Sequence, residues 1–589
     1  MMQNFLAKTG FESPPARTSA VSMNAAEKDD AAALRLYDEG CKHREGGDLM
    51  GAEQSFAGAL ELKHDFGEAH LALGDVLAGL GRIEDAIDCY QLAVHFSPRL
   101  VDAHVSLASV LLRLKRHDEA EAACREALAI NGESSRAWFW LGNVLKARGD
   151  LEHSVDAYRV AAAGEPAEIN ALQQLAFVEF RLGRYGDAYR DFGVLLRLAG
   201  TSPNAHHNFG LLQLETGYPE AALASFRRAL ELNPGAPETM TCVAHALRDL
   251  GRLDEAIDAY DEVLAQHPDF GDALGNRGQA LLMGGNYAAG WKQYEQRFVA
   301  TGTRARSTGA APWQGESLVG KTIAVMSEQG VGDEIMFASC LPDLMKNAKQ
   351  VAVECDPRLV TTFLRSFPGA SVRARSAAGA TRTSAVPKAD FEISIGSLPL
   401  HFRSGQPQFP QTSGYLRADP ARVTEWRARY SGFGKTRRVG IAWRGGTLRN
   451  RQCLRSLELS DLGVMLRQTA CGFFSLQYGD REAELQQVCA KLGVSVQDVG
   501  GAVGADIDAL AAAIEALDLV ITVDNTVAHL SGALGKPTWV LVPFSPDWRY
   551  GRKGDTTAWY PSMRLFRQAA PRQWGPVVER VVQLLAADR

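Results

Sequence analysis

Cysteine is sparse and scattered in this chain, with nine residues in 589 and no Cys-x-x-Cys pair. That pattern argues against a zinc site and a disulfide framework, and it suits a reducing cytoplasm. No apolar run is long enough to span a bilayer. A formal net charge of −6 gives no sign of a nucleic-acid or membrane surface. The N-terminal stretch around Phe11–Ala20 is polar and turn-rich and lacks the apolar centre of a signal peptide, so residues 1–32 read as a flexible tail. The remaining composition, 46% hydrophobic and 22% charged, is that of an ordinary globular protein, and the length calls for two or three domains.

What the chain has in abundance is repetition. A small residue recurs every 34 positions at Gly40, Gly74, Ala108, Gly142, Ala176, Gly210, Ala244 and Gly278. Twelve residues after each comes a second small residue, from Ala52 to Gly290, and four further on a larger apolar one, from Phe56 to Tyr294. Prolines follow the second half of the unit at Pro98, Pro166, Pro234 and Pro268. The pattern resembles a tetratricopeptide (TPR) array of eight helix pairs over residues 33–304. One pair cannot bury its apolar face alone, so neighbours stack into an α-solenoid whose concave surface holds a polypeptide. The expected partner of the array is a protein; the plainer alternative is that the array is a spacer or a self-association device.

The helical period stops after Phe298, and Thr301–Gly309 reads as a polar linker or exposed loop. Short apolar runs then alternate with helical segments. Strands are predicted at 322–326, 350–354, 391–394, 438–443, 473–477, 519–523 and 538–542. This is the order of βαβ units, and it divides into two Rossmann-like halves, residues 305–436 and 437–589.

Three motifs follow strands in these halves. The first is Glu328-Gln-Gly-Val-Gly-Asp-Glu-Ile335. Gly330 and Gly332 allow a tight turn and a close backbone approach, and the helix that follows offers free N–H groups to a ligand. No Gly-Lys-Ser/Thr follows, so the turn is not a Walker A loop. Asp333 reads equally as the cap of that helix and as a general base.

The second motif runs from Val520 to Trp539. Asp524, Asn525, Thr526 and His529 lie at a strand-to-helix junction suited to a nucleotide diphosphate. The helix dipole there favours a neutral imidazole at His529. The third places Arg444, Arg449, Arg451 and Arg455 after a strand and a glycine turn, where one or two guanidinium groups could clamp phosphate. Asp506-Ile-Asp508 spells Asp-x-Asp but opens a helix, and it reads as an N-cap with no metal role.

Together these motifs resemble the heptosyltransferase-like glycosyltransferases (family 9 type), whose fold is GT-B. The resemblance covers residues 315–580 and implies a metal-independent, inverting transfer from a nucleotide-activated sugar, with no other cofactor. It implies Asp333 as general base and Asp524, Asn525, Thr526, His529 and the Ala533–Pro537 turn as donor-binding. Arg451 and Arg455 are the nearest matches to that family's phosphate-neutralising cation. The Asn525-Thr526-Val527 sequence departs from the family's usual pair.

The layout of array plus catalytic region, with Phe544–Arg549 and Trp559–Arg567, is similar to bacterial TPR-containing glycosyltransferases, including those that modify flagellin. It implies a cytoplasmic enzyme whose array recruits its acceptor protein, with flagellin the leading candidate. Two alternatives remain at this point: a scaffold whose GT-B unit has become a binding module, and a transferase acting on a lipid-linked or polysaccharide acceptor.

Overall fold

The computed structural model describes residues 23–164, 169–302, 305–376, 389–411, 414–434, 437–446 and 452–587. The chain divides into two compact units, residues 1–205 and 206–589. The first holds five helix pairs, from Met23–Glu45 with Leu49–Leu62 to Ile169–Arg181 with Tyr185–Leu198. Part of the expected tail is thus helical, because the first helix begins at Met23. Residues 1–22 lie outside the described residues.

The repeat is built as its small residues require. A Cβ on Gly74 would lie 2.6 Å from the Tyr90 ring, and one on Gly142 would lie 2.7 Å from Tyr158. The larger residue therefore fills the space that the small one leaves. The phenol hydroxyls are satisfied as well: Tyr90 donates to Asp75 and Tyr158 to Asn143. A second 34-residue rhythm sits in the turn between paired helices. Gly47, Gly81, Gly149, Gly183, Gly217, Gly251 and Gly285 all have positive φ. Lys115 takes the same position in the third repeat with φ 60°, where a side chain is strained.

The second unit contains the last three helix pairs, Pro203–Glu215 to Tyr287–Tyr294, together with two parallel sheets. Its first helix begins just before the division between units. The first sheet comprises β1 (Ala311–Pro312), β2 (Thr322–Met326), β3 (Gln350–Cys355), β4 (Ala370–Ala374) and β5 (Phe391–Ser394), in the order β1-β5-β2-β3-β4. The second comprises β6 (Arg437–Ala442), β7 (Cys471–Ser475), β8 (Val496–Asp498), β9 (Leu519–Val523), β10 (Thr538–Val542) and β11 (Met563–Arg567), in the order β11-β10-β9-β6-β7-β8. That second order runs outward from β6 and then returns to β6's other side, as in a doubly wound sheet. The chain reverses between β6 and β9, and in the first sheet between β2 and β5. Crevices that take ligands form outside the C-terminal strand ends at such reversals.

The pattern change near residue 305 does not coincide with the division between compact units. Trp291, in the eighth repeat, is buried and donates from Nε1 to the Arg403 carbonyl at 2.9 Å. Arg297 grips Glu328 through two bonds of 2.8 and 2.7 Å. The stretch expected as a linker is partly anchored too: Ser307 and Thr308 donate to Glu392, and Arg306 pairs with buried Glu354.

Candidate functional site

A cleft of about 770 Å³ collects most of the residues that the motifs single out. Gly330, Gly332, Asp333, Arg455, Asp524, Asn525, Thr526 and His529 all line it. They meet because each follows the C-terminal end of a parallel strand: β2 delivers the glycine turn, β6 leads to Arg455, and β9 ends immediately before Asp524.

The glycine turn starts a short helix, Val331–Phe337, with Gly330 as its N-cap residue. Gln329 enters the turn with φ 61°, held by a hydrogen bond from its amide to the Tyr294 hydroxyl at 2.8 Å. Asp333 is not the N-cap residue, although its Oδ2 accepts from the Gly330 N–H at 3.2 Å. Its Oδ1 is held by Arg549 in an ion pair. Gly332 permits the turn to press on the second half, since a Cβ there would lie 3.0 Å from the His529 ring.

The second junction is held tightly from within. Asn525 is the N-cap of the helix Thr526–Ala533, and its Oδ1 accepts from the Ala528 N–H at 3.1 Å. Its amide donates to the Arg444 carbonyl at 3.1 Å, which ties the loops after β6 and β9 together. Those loops run so close that a Cβ on Gly445 would lie 2.3 Å from the Asp524 carbonyl oxygen. Asp524 is buried; Arg455 pairs with it at 2.6 Å, and the Tyr550 hydroxyl donates to it at 3.0 Å. His529 is buried against Tyr560, whose hydroxyl lies 2.9 Å from Nδ1. Burial pushes its imidazole below the ordinary value, which favours the neutral form.

Arg444 lies elsewhere. Its guanidinium pairs with Glu484 at 2.8 Å and donates to the Asp480 carbonyl, so only its backbone serves the junction. Arg451, like Arg449, lies outside the described residues. Asp506 caps the helix Ile507–Glu515, as its position predicts, and Asp508 pairs with Arg365 at 2.6 Å across the two halves. Among the described residues, no group of three or more His, Cys, Asp or Glu is arranged to hold a metal.

The cleft also contains residues that the motifs do not single out. Asp547, Trp548 and Arg549 follow β10 at the same end of the sheet. Arg549 bonds Asp547 at 2.5 Å and lies 4.7 Å above the Trp548 ring. Burial alone would depress its guanidinium, but Asp333 and Asp547 hold it above its ordinary value. Asp547 is held below the carboxylate range because Arg549 and Arg455 outweigh the effect of burial. The position of this loop at a strand's C-terminal end was the signal available in the sequence. Arg248, Asn276, Gln279 and Met283 come from the repeats and complete the wall. Helical periodicity gives no indication that they would meet the α/β region.

Arg248, Arg455 and Arg549 thus share one cleft with Asp333, Asp524 and Asp547. Among the described residues, Arg455 and Arg549 each keep a buried Nε–H without a hydrogen-bond partner. Such donors suit a ligand carrying several anionic oxygens.

Tetratricopeptide-repeat family models match residues 37–100 and 244–308, 101–144, and 213–269. Protein FlbA of Caulobacter vibrioides is 29% identical over 592 residues, covering 97% of this chain and 87% of that protein. The tetratricopeptide repeat-containing protein trd-1 of Caenorhabditis elegans is 24% identical, over 32% of this chain and 24% of its own length. The human protein O-mannosyl-transferase TMTC1 is 27% identical, over 34% of this chain and 23% of its own length. Among solved structures, the MamA protein is 24% identical, covering 29% of this chain and 92% of its own, with a TM-score of 0.26. The Cut9–Hcn1 complex is 15% identical over 48% of this chain and 54% of its own, with a TM-score of 0.36. The chain contains tetratricopeptide repeats, a module for protein–protein interaction, followed by an α/β region of two parallel sheets.

Proposed function

We propose that the cleft binds a nucleotide-activated sugar and transfers the sugar to a hydroxyl of a protein recruited by the repeats. The observation that carries this reading is the mixed wall of the cleft. Residues of the array itself, Asn276 and Gln279, face the same space as Asp333, Arg455 and Arg549. A polypeptide on the inner face of the last repeats would therefore reach the reacting centre. The doubly wound strand order and the site at its reversal support a nucleotide, and the two-sheet arrangement supports a GT-B unit.

In this reading the acceptor oxygen attacks the anomeric carbon with inversion and its proton passes to Asp333. The bond from that carbon to the phosphate oxygen breaks, and its electron pair leaves with the nucleoside diphosphate. Arg455 and Arg549 stabilise the charge that develops there. The resemblance makes flagellin the leading acceptor, and the lack of a membrane-length helix among the described residues is consistent with a cytoplasmic enzyme.

A second reading, a non-enzymatic scaffold, has its own support. Asp333 and Asp524 are both engaged by arginines, and the family models match the repeats without covering the sheets. Calorimetry with nucleoside diphosphates, followed by a donor-turnover assay with candidate acceptors, separates the readings. Absence of binding by every nucleoside diphosphate overturns the donor site. Binding without turnover, with acceptor present, favours the scaffold.

A further inference from the structure

The loop that carries Arg549 forms a partition between two cavities. One side is the 770 Å³ cleft; the other is a cavity of about 1010 Å³ lined by Arg306, Arg358 and Arg375. Asp547, Trp548 and Arg549 line both. One Nη of Arg549 holds Asp333 from the first half, and the other holds Asp547 from its own loop. Its buried Nε–H has no hydrogen-bond partner among the described residues. The guanidinium rests on Trp548, whose ring is wedged against Trp291 and Tyr294 at 5.5 and 5.8 Å. This floor is rigid and apolar, so the cation can turn on it while keeping its contact with the ring.

We infer that Arg549 is shared between Asp333 and the anionic part of the ligand, so that binding the ligand and releasing the Asp333 carboxylate are one event. This rests on the reading of the cleft as a diphosphate site. A guanidinium has a limited fork of donors, and Asp333 holds Nη2, the donor next to the unpartnered Nε–H. A diphosphate engaging Nε and Nη2 takes the donor that Asp333 Oδ1 now uses. The carboxylate is then free to accept a proton only when the leaving group is in position. Arg549 acts here as a positioning residue: it governs when Asp333 is available and touches the phosphate while doing so. The arrangement suppresses donor breakdown by stray water before the phosphate has been captured.

The test is a double-mutant cycle on the full chain, with inorganic pyrophosphate as the probe and calorimetry as the readout. Asp333→Asn removes the competing carboxylate at nearly constant shape. It should tighten pyrophosphate binding about fivefold or more, the lower end of a typical coupling. Arg549→Gln should weaken binding, and in that background Asp333→Asn should change it less than about twofold. Circular dichroism checks the fold, and Arg549→Lys, which keeps the charge but not the fork, replaces the glutamine variant if that one unfolds. Equal tightening by Asp333→Asn in both backgrounds would mean simple charge repulsion and would overturn the shared-cation inference. Unchanged binding in Asp333→Asn would overturn it as well, while leaving the diphosphate site standing. Absence of binding in all variants, wild type included, would overturn both.

Discussion

Trp291 of the eighth repeat and Trp548 of the loop after β10 meet edge to face, with ring centroids 5.5 Å apart. Trp559 and Phe337 complete the cluster around the buried indole, at 6.1 and 6.4 Å. A residue of the array thus sits in the core of the α/β region, next to the loop that supplies Arg549.

Trp291→Ala should destabilise the second unit by about 3–5 kcal/mol, as truncations of buried aromatics do. A fragment of residues 206–589 should unfold cooperatively in denaturant, whereas 306–589, which lacks Trp291 and Arg297, should not. A stable, cooperative 306–589 fragment would mean that Trp291 and Arg297 are not part of the α/β core.

Asp333→Ala should lower transfer by about 10²–10⁴-fold while leaving the fold intact. Transfer to the acceptor protein is the measurement, with circular dichroism as the control. Activity within a few-fold of wild type would reduce Asp333 to a backbone tether for Gly330.

Arg455→Ala should weaken donor affinity by about 1.5–3 kcal/mol, the range for a charge-assisted contact. It should also lower stability, because Asp524 would remain buried without its cation. Calorimetry and denaturant unfolding of the same variant read the two effects separately. Full donor affinity in this variant would place the phosphates elsewhere.

Glu334 gives the fold a pH dependence of predictable sign. It lies at the back of the glycine turn, where Ser327 and the Asp356 N–H donate to it, yet burial pushes its carboxyl from 4.5 to about 7. Between those values the folded protein holds a proton that the unfolded chain releases, so this contribution is full below about 4.5 and is lost as pH rises to about 7. The shift corresponds to roughly 3 kcal/mol. Glu334→Gln should flatten that part of the stability–pH profile, measured as denaturant midpoints at several pH values. An unchanged slope in the variant would remove Glu334 as its source.

Lys115→Gly should stabilise the first unit by about 1 kcal/mol, because seven of the eight equivalent turns already use glycine at positive φ. Thermal melting followed by helical circular dichroism is the check. A lower melting temperature would show that the lysine side chain offsets its backbone strain.

The repeats and the central strands were legible in the sequence because they carry strong periodic or apolar signals. The runs at β2, β5, β9 and β10 appear at the predicted residues. The strands not foreseen are those whose sequences lack such runs. β1 has two residues and β8 three, while β4 carries only Val372 into the core and β11 has arginine at two of its five positions. Asp333, Asp524 and His529 reach the cleft because each lies in the turn or the first helical turn after a strand. Arg444 occupies the same kind of position, but its side chain turns to Glu484, and only the tertiary fold decides that direction. Arg549 and the repeat residues Asn276 and Gln279 depend on contacts between elements distant in sequence, for which no local pattern exists.

A solenoid ordinarily gains or loses whole units without harm, since each touches only its neighbours. The sixth to eighth repeats have given up that freedom. Tyr218 bonds Arg572, Asp249 accepts from Ser545, and Trp291 lies in the core below Arg549. Deleting the seventh or eighth would remove part of the cleft wall, and deleting the sixth would remove the Tyr218–Arg572 contact. Repeat number can therefore vary among the first five units, while the last three are held in place by their contacts with the α/β region.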